Sequence, residues 1–190
     1  MKLSPSLIPS FPQSLMLSLA AISWTIIGCS NPFAPAIELP DRSPSRRVEQ
    51  TAPDSTLVNF ETSYRQKDLD LYVETLDDHF LFSYVDTLGN SHSFGLYGPG
   101  GDRAMTEEMF STYSYIYFEY FTFSARYTET PESGFESDGA WEVRQLNFSL
   151  VVQFPNGEIK IARGFAYFKF RRQTDGTWRI IRWIDNSMQA

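Results

Sequence analysis

The stretch "ARGFAYFKFRRQTDGTWRIIRWID", Ala162–Asp185, decides the fold class. With the preceding "IKI", its first half reads as one long strand, with Arg163 in phase with Ile159, Ile161, Phe165 and Tyr167. "TDG", Thr174–Gly176, is a turn, because aspartate and glycine accept the backbone angles a tight reversal needs. "TWRIIRWID" then returns as a second strand. Upstream, in "LNFSLVVQF", Leu146, Phe148, Leu150, Val152 and Phe154 alternate with Asn147, Ser149 and Gln153, as in a half-buried strand. Asn156-Gly157 supplies the hairpin turn between the two runs. "YFEYFTFSARYT", Tyr117–Thr128, adds one more strand, so the C-terminal half is an antiparallel meander.

The segment before the meander has a different period. Asp54 or Ser55 can cap a helix whose face is Leu57, Phe60, Glu61 and Tyr64. Asp68 can cap a second, with Leu69, Tyr72, Val73 and Leu76 at i, i+3, i+4 and i+7. "HFLFSYV" reads as a strand and is followed by a glycine-rich loop through Gly95, Gly98, Gly100 and Gly101. A third helix is expected from Asp102 or Thr106, with Met109, Phe110 and Tyr113 as its apolar stripe. Helices followed by a meander make an α+β class.

Two segments resemble the nuclear transport factor 2-like superfamily, and the resemblance covers roughly residues 54 to 186. "LVNFETSYRQKDLDLYVETLDDHFLFSYV" is similar to the superfamily's opening helix pair and first strand. Asp175, Gly176, Trp178, Arg179 and Ile180 carry the pattern of its closing hairpin. The resemblance implies a single cystatin-like α+β domain, with N-terminal helices packed in the concave face of a strongly bent antiparallel sheet, a cone with an internal pocket. Members include isomerases, dehydratases, epoxide hydrolases, polyketide cyclases and many domains without a known reaction. The enzymes among them place a carboxylate or histidine base in the cone, opposite a tyrosine, aspartate or arginine. No one enzyme's set of such residues maps onto this chain, which favours a non-catalytic domain.

The N-terminus carries a different message. "SLMLSLAAISWTIIGC", Ser14–Cys29, is an apolar run too short to span a bilayer comfortably, and Lys2 precedes it. It fits the apolar core of a secretory signal. "IIGC", Ile26–Cys29, resembles the bacterial lipobox, which implies a signal peptide over residues 1–28 and acyl chains, palmitate among them, on Cys29. Ser30 is not the aspartate of the inner-membrane retention signal, so the resemblance implies a lipid-anchored protein of the cell envelope, at the outer membrane facing the periplasm. Residues 29–53 are proline-rich and read as a semi-extended tether, and residues 54–190 as the domain. Cys29 is the chain's single cysteine, so no intramolecular disulfide forms. The other reading of Cys29 is a free thiol.

Formal net charge is −7 with no dense basic block, which argues against nucleic-acid binding. Two histidines and one cysteine give no metal-ligand spacing, and no cofactor is expected. Asp78 and His79, in "DDH", lie where the second helix gives way to the first strand, near the rim of a cone. They could transfer protons or hold a metal, or simply end a solvated helix. Arg163 interrupts an apolar strand face, and Asp185 is in phase with Ile181 and Trp183. A charge facing inward must be paired or must meet a ligand, so Arg163, Asp185, Trp183 and Tyr167 are the candidate ligand-binding residues. The alternatives are an ion pair or a water-facing edge. The aromatics from Phe110 to Tyr127 could line a pocket or fill the core.

Three functions remain open on these residues. The leading one is a membrane-anchored domain binding a small apolar ligand or a protein partner. The others are an isomerase- or dehydratase-type enzyme with a carboxylate or His79 as base, and a homodimeric assembly module pairing through the sheet.

Overall fold

In the computed structural model, which describes residues 47–86 and 88–186, helix α1 (Pro53–Gln66) follows a short extended segment. Its first helical residue is a proline, which has no N–H to leave unbonded there. The Ser55 hydroxyl accepts from Ala52 N–H at 3.1 Å, so the helix starts slightly before the expected cap. Val48 exchanges two hydrogen bonds with the buried Asn59 side chain, at 3.0 and 2.8 Å. Trp178 N–H donates to Gln50 O at 2.8 Å. The chain is therefore tied to the domain from Val48 onward. The lipobox, Cys29 and most of the expected tether lie outside the described residues.

Helix α2 (Leu69–Glu74) opens on Asp68, whose carboxylate accepts from Leu71 N–H at 2.9 Å. Strand β1 (Leu76–Val85) takes over at Leu76, earlier than the helical spacing suggested, because Leu76 pairs with the last strand beside Ile180. Within the expected glycine-rich loop, β2 (Ser91–Gly95) pairs antiparallel with β1, setting His92 opposite Tyr84 and Phe94 opposite Phe82. Helix α3 (Asp102–Thr112) follows, then β3 (Tyr115–Glu129), β4 (Trp141–Gln153), β5 (Ile159–Arg172) and β6 (Trp178–Asp185). Gly157 and Gly176, at φ of 89° and 87°, make the two hairpin turns.

The strands form one sheet in the order β2-β1-β6-β5-β4-β3, with β1 and β6 parallel and every other pair antiparallel. Register shifts interrupt β3 between Phe118 and Tyr120 and again between Phe123 and Ala125, and such bulges bend a sheet. The fold is thus α+β, with the helices on the concave face of a bent, unclosed sheet.

Phe60 of α1 is fully buried at the centre of that face. Its ring lies 5.3 Å from both Phe168 and Trp183, edge-on, and 5.6 Å from Tyr72. Leu57, Tyr64, Leu76, Phe80, Leu146 and Ile180 complete the surrounding core. The two faces of β5 are instructive. Ala166, Phe168 and Phe170 are buried against the helices, while Ile159, Ile161 and Phe165 are exposed on the convex side. On the inward face Ala162, Gly164 and Ala166 are all small, and only Ala166 of the three is buried.

Candidate functional site

A cavity of about 220 Å³ remains beside the Phe60 cluster, between α3 and the concave sheet. It is partly open to solvent, and the elements that line it each contribute for a local reason. Tyr64 is on the apolar face of α1, while Phe118, Phe148 and Leu150 project from facing positions of β3 and β4. Ala162 of β5 is small enough to leave room. Phe82 and Trp183 come from the parallel β1–β6 pair, where they are opposite one another, and their rings are 4.7 Å apart. Met105 and Met109 come from α3, on successive turns of the helix.

Two carboxyl groups, Asp102 and Asp185, line this largely apolar wall together with the hydroxyl-bearing Tyr64 and Thr106. Asp102 is the first residue of α3 and only 4% exposed. Its place depends on Gly101, where a Cβ would come within 2.8 Å of the Tyr97 backbone. Glycine is therefore required at the helix entry. Tyr72 Oη donates to Asp102 Oδ2 at 2.6 Å.

Burial raises the pKa of Asp102 to about 6, against the opposing effect of the Tyr72 hydrogen bond. Tyr64 and Tyr72 are pushed well above the ordinary tyrosine value, first by burial and then by neighbouring negative charge. Asp102 and Asp185 both act on Tyr64 in that sense, and all three line the same cavity. Such a site can hold a polar group against an apolar body. A carboxyl titrating near neutrality can also exchange a proton with a bound molecule.

The residues singled out from sequence separate into three places. Trp183 and Asp185 line the cavity, on the inward side of β6 opposite Phe168 and Ala166. Arg163 and Tyr167 stand on the convex face of β5, away from the cavity. The face expected to point inward, with Ile159, Ile161 and Phe165, points outward, and the alternate set with Ala166, Phe168 and Phe170 is the buried one. Arg163 reaches Glu119 at 3.7 Å across that face, and Glu119 accepts from Ser149 at 2.9 Å.

His79 and Asp78 are at the start of β1, both exposed. The buried member of "DDH" is Asp77, which accepts from His79 N–H at 2.8 Å and from Gln173 Nε2 at 2.7 Å. The His79 ring meets Phe135 of the β3–β4 connection edge-on. Arg171 and Arg182 also approach the Phe135 ring, at 5.2 and 5.7 Å, and Arg182 bonds Glu132 at 2.9 Å. This cluster fastens the β3–β4 connection to the sheet, a structural task. Among the described residues no group of three His, Cys, Asp or Glu side chains is placed to hold a metal ion.

Asp102, Tyr64 and Tyr72 were not singled out as site residues by sequence reasoning. The available signal was chemical. A tyrosine on the buried face of a helix brings a hydroxyl that must find a partner, and two of them point to a buried acceptor. A second, wider groove of about 510 Å³ runs between residues 47–51 and the β5–β6 turn at Asp175 and Thr177. It too is open to solvent, and it gathers no buried titratable group.

No known family pattern matches the sequence, and no curated protein matches it. Solved structures match the fold. One, from Novosphingobium aromaticivorans and provisionally assigned as an aromatic ring hydroxylase, is 15% identical with a TM-score of 0.56, over 75% of this chain and 90% of that one. A conserved protein from Planctomyces limnophilus is 17% identical with a TM-score of 0.57, over 71% of this chain and 92% of its own. A protein from Streptomyces avermitilis, provisionally called a dehydratase of the nuclear transport factor 2-like family, is 13% identical, over 71% and 92%, with a TM-score of 0.47. At such identities the likeness concerns the fold alone.

Proposed function

We propose that the chain is a nuclear transport factor 2-like domain carried by an envelope lipoprotein, and that its concave cavity binds a small, largely apolar molecule. The observation that supports binding is the cavity's composition: aromatic and thioether walls with a few carboxyl and hydroxyl groups, the make-up of a ligand pocket. Its 220 Å³ falls below the range of about 300–1,000 Å³ usual for drug-sized ligands, so the occupant is small. Met105 and Met109 report on the site directly. In the full chain with 13C-labelled methionine methyls, small aromatic compounds should shift those two signals, and Ala162→Trp should abolish the shifts. If no compound in a broad small-molecule panel moves either methyl, binding in the cavity is refuted.

Anchoring rests on Ile26–Cys29 and the apolar run before it. Several acyl chains, at about 0.8 kcal/mol per buried methylene, hold a protein firmly at a bilayer. Expressed in a bacterium, the full chain should acquire labelled palmitate, and Cys29→Ser should lose the label and leave the membrane fraction. Label retained on the variant removes Cys29 as the attachment point.

A second reading is proton transfer of the isomerase or dehydratase type, favoured by the position of Asp102, which titrates near neutrality inside the same cavity. Compounds that bind should then take up solvent deuterium with the wild type and not with Asp102→Asn. Equal uptake with both excludes Asp102 as the base. A third, homodimeric assembly, is favoured by Ile159, Ile161 and Phe165, exposed on the convex face. A dimer in sedimentation that Ile161→Glu dissociates supports it, and a wild-type monomer at high concentration refutes it.

A further inference from the structure

We propose that helix α3 is a lid on the concave cavity, latched shut by the Tyr72–Asp102 hydrogen bond and released when Asp102 loses its proton. The consequence for a bound molecule rests on the ligand-binding reading above; the motion itself does not. Of the eleven residues of α3, only Asp102, Thr106 and Phe110 are buried, one stripe at i, i+4 and i+8. Tyr64 and Tyr72 receive that stripe. The Phe110 ring meets them edge-on at 5.5 and 6.3 Å, and Asp102 accepts the Tyr72 hydroxyl at 2.6 Å. Met105 and Met109, beside the stripe, are part of the cavity wall.

The two ends of α3 are held differently. At the C-terminal end the chain passes directly into the sheet. Ser114 N–H donates to Gln153 O at 2.8 Å, and the Tyr113 ring packs against Phe154 at 4.8 Å. At the N-terminal end the chain arrives from the buried Leu96 through Gly98 and Gly100, at φ of 100° and 71°. There Arg103 N–H donates to Leu96 O at 3.1 Å, and the Tyr72 hydroxyl is the side-chain tie. Glycines accept backbone angles that other residues resist, so the first turn can swing while the last stays fastened.

Asp102 couples that tie to pH. Shut, its buried carboxyl titrates at about 6; swung into water, it returns toward 3.8. The shut state therefore holds the proton more tightly, so protonation favours closure and rising pH favours opening. The groups that face Asp102 are Tyr72 from α2, Tyr64 from α1 and Asp185 from β6, and both tyrosines stay neutral through this range. Arg103, next along α3, pairs with Glu107 at 3.5 Å. Opening withdraws Met105 and Met109 from the wall, so a bound molecule is held more tightly at pH 5 than at pH 7.5.

Amide hydrogen exchange of the full chain, with no ligand present, tests the lid. An eleven-residue helix is not stable without packing, so α3 exchanges whenever it leaves the domain. Its amides from Arg103 to Phe110 should exchange at least tenfold faster, relative to intrinsic rates, than those of Phe60 and Tyr64 in α1. Between pH 5 and pH 7.5 the corrected α3 rates should rise about tenfold. Asp102→Asn should abolish that rise, because asparagine keeps an acceptor for Tyr72 and does not titrate. Tyr72→Phe should speed exchange in α3 more than in α1, and protected α1 amides show that each variant is folded. Equal protection of α3 and α1 in the wild type overturns the lid. A rise with pH that is the same in Asp102→Asn overturns the control by this proton. Neither result touches the pocket reading, which the methionine methyl titration tests separately.

Discussion

Replacing Asp102 by asparagine removes a buried charge while keeping the shape and an acceptor for the Tyr72 hydroxyl. In the folded protein Asp102 titrates at about 6, against an ordinary value of 3.8. A raised pKa means the folded state binds this proton more tightly than the unfolded state does. Its contribution to stability is complete below about 4 and is lost as the pH rises through about 6. A displacement of about two pH units corresponds to about 3 kcal/mol. The other groups facing Asp102 are Tyr64 and Tyr72, which stay neutral through this range, and Asp185 across the cavity, which is common to both proteins. Urea unfolding of wild type and Asp102→Asn from pH 4.5 to pH 8 should therefore give a stability difference that changes by about 2–3 kcal/mol, with the variant gaining on the wild type as pH rises. Carboxyls elsewhere contribute equally to both curves and cancel. A difference that is flat with pH, or that slopes the other way, would show that Asp102 is not held out of water as described.

Other perturbations test the parts that build the site. Phe60→Ala removes the ring at the centre of the concave core, and equilibrium unfolding should show a loss of about 3–5 kcal/mol. Gly101→Ala drives a Cβ to 2.8 Å from the Tyr97 backbone, so stability should fall by about 1–3 kcal/mol and the Met105 methyl signal should move. Tyr72→Phe takes the donor from Asp102; carboxyl 13C titration should place that group above its wild-type value of about 6, and a lower value would contradict the hydrogen bond.

Much of this architecture was legible because single residues dictate local geometry. Asp175-Gly176 and Asn156-Gly157 mark the hairpins, Asp68 caps α2, and the alternation in β4 separates its faces correctly. The short β2 was not legible, since Ser91–Gly95 has little apolar pattern and forms by pairing with β1. β5 misleads for a physical reason. Its larger aliphatic residues face outward while Ala162, Gly164 and Ala166 face the concave side, so residue size alone assigns the wrong face. Asp185 and Trp183 were legible as charge and ring on one face of the final strand, and both line the cavity. Asp102 was visible only as a helix start, because its partners Tyr64 and Tyr72 lie far away in sequence and meet it only through packing.

Whether the concave face holds an open cavity or one filled by its own side chains decides between a binding domain and a purely structural one. A crystal structure of the protein under xenon pressure tests this most directly, because xenon enters apolar cavities without needing a specific ligand. A xenon atom among Met109, Phe118 and Leu150 is the predicted result. Rings of Phe118, Phe148 and Trp183 closed over that position, with no xenon between them, would contradict the account.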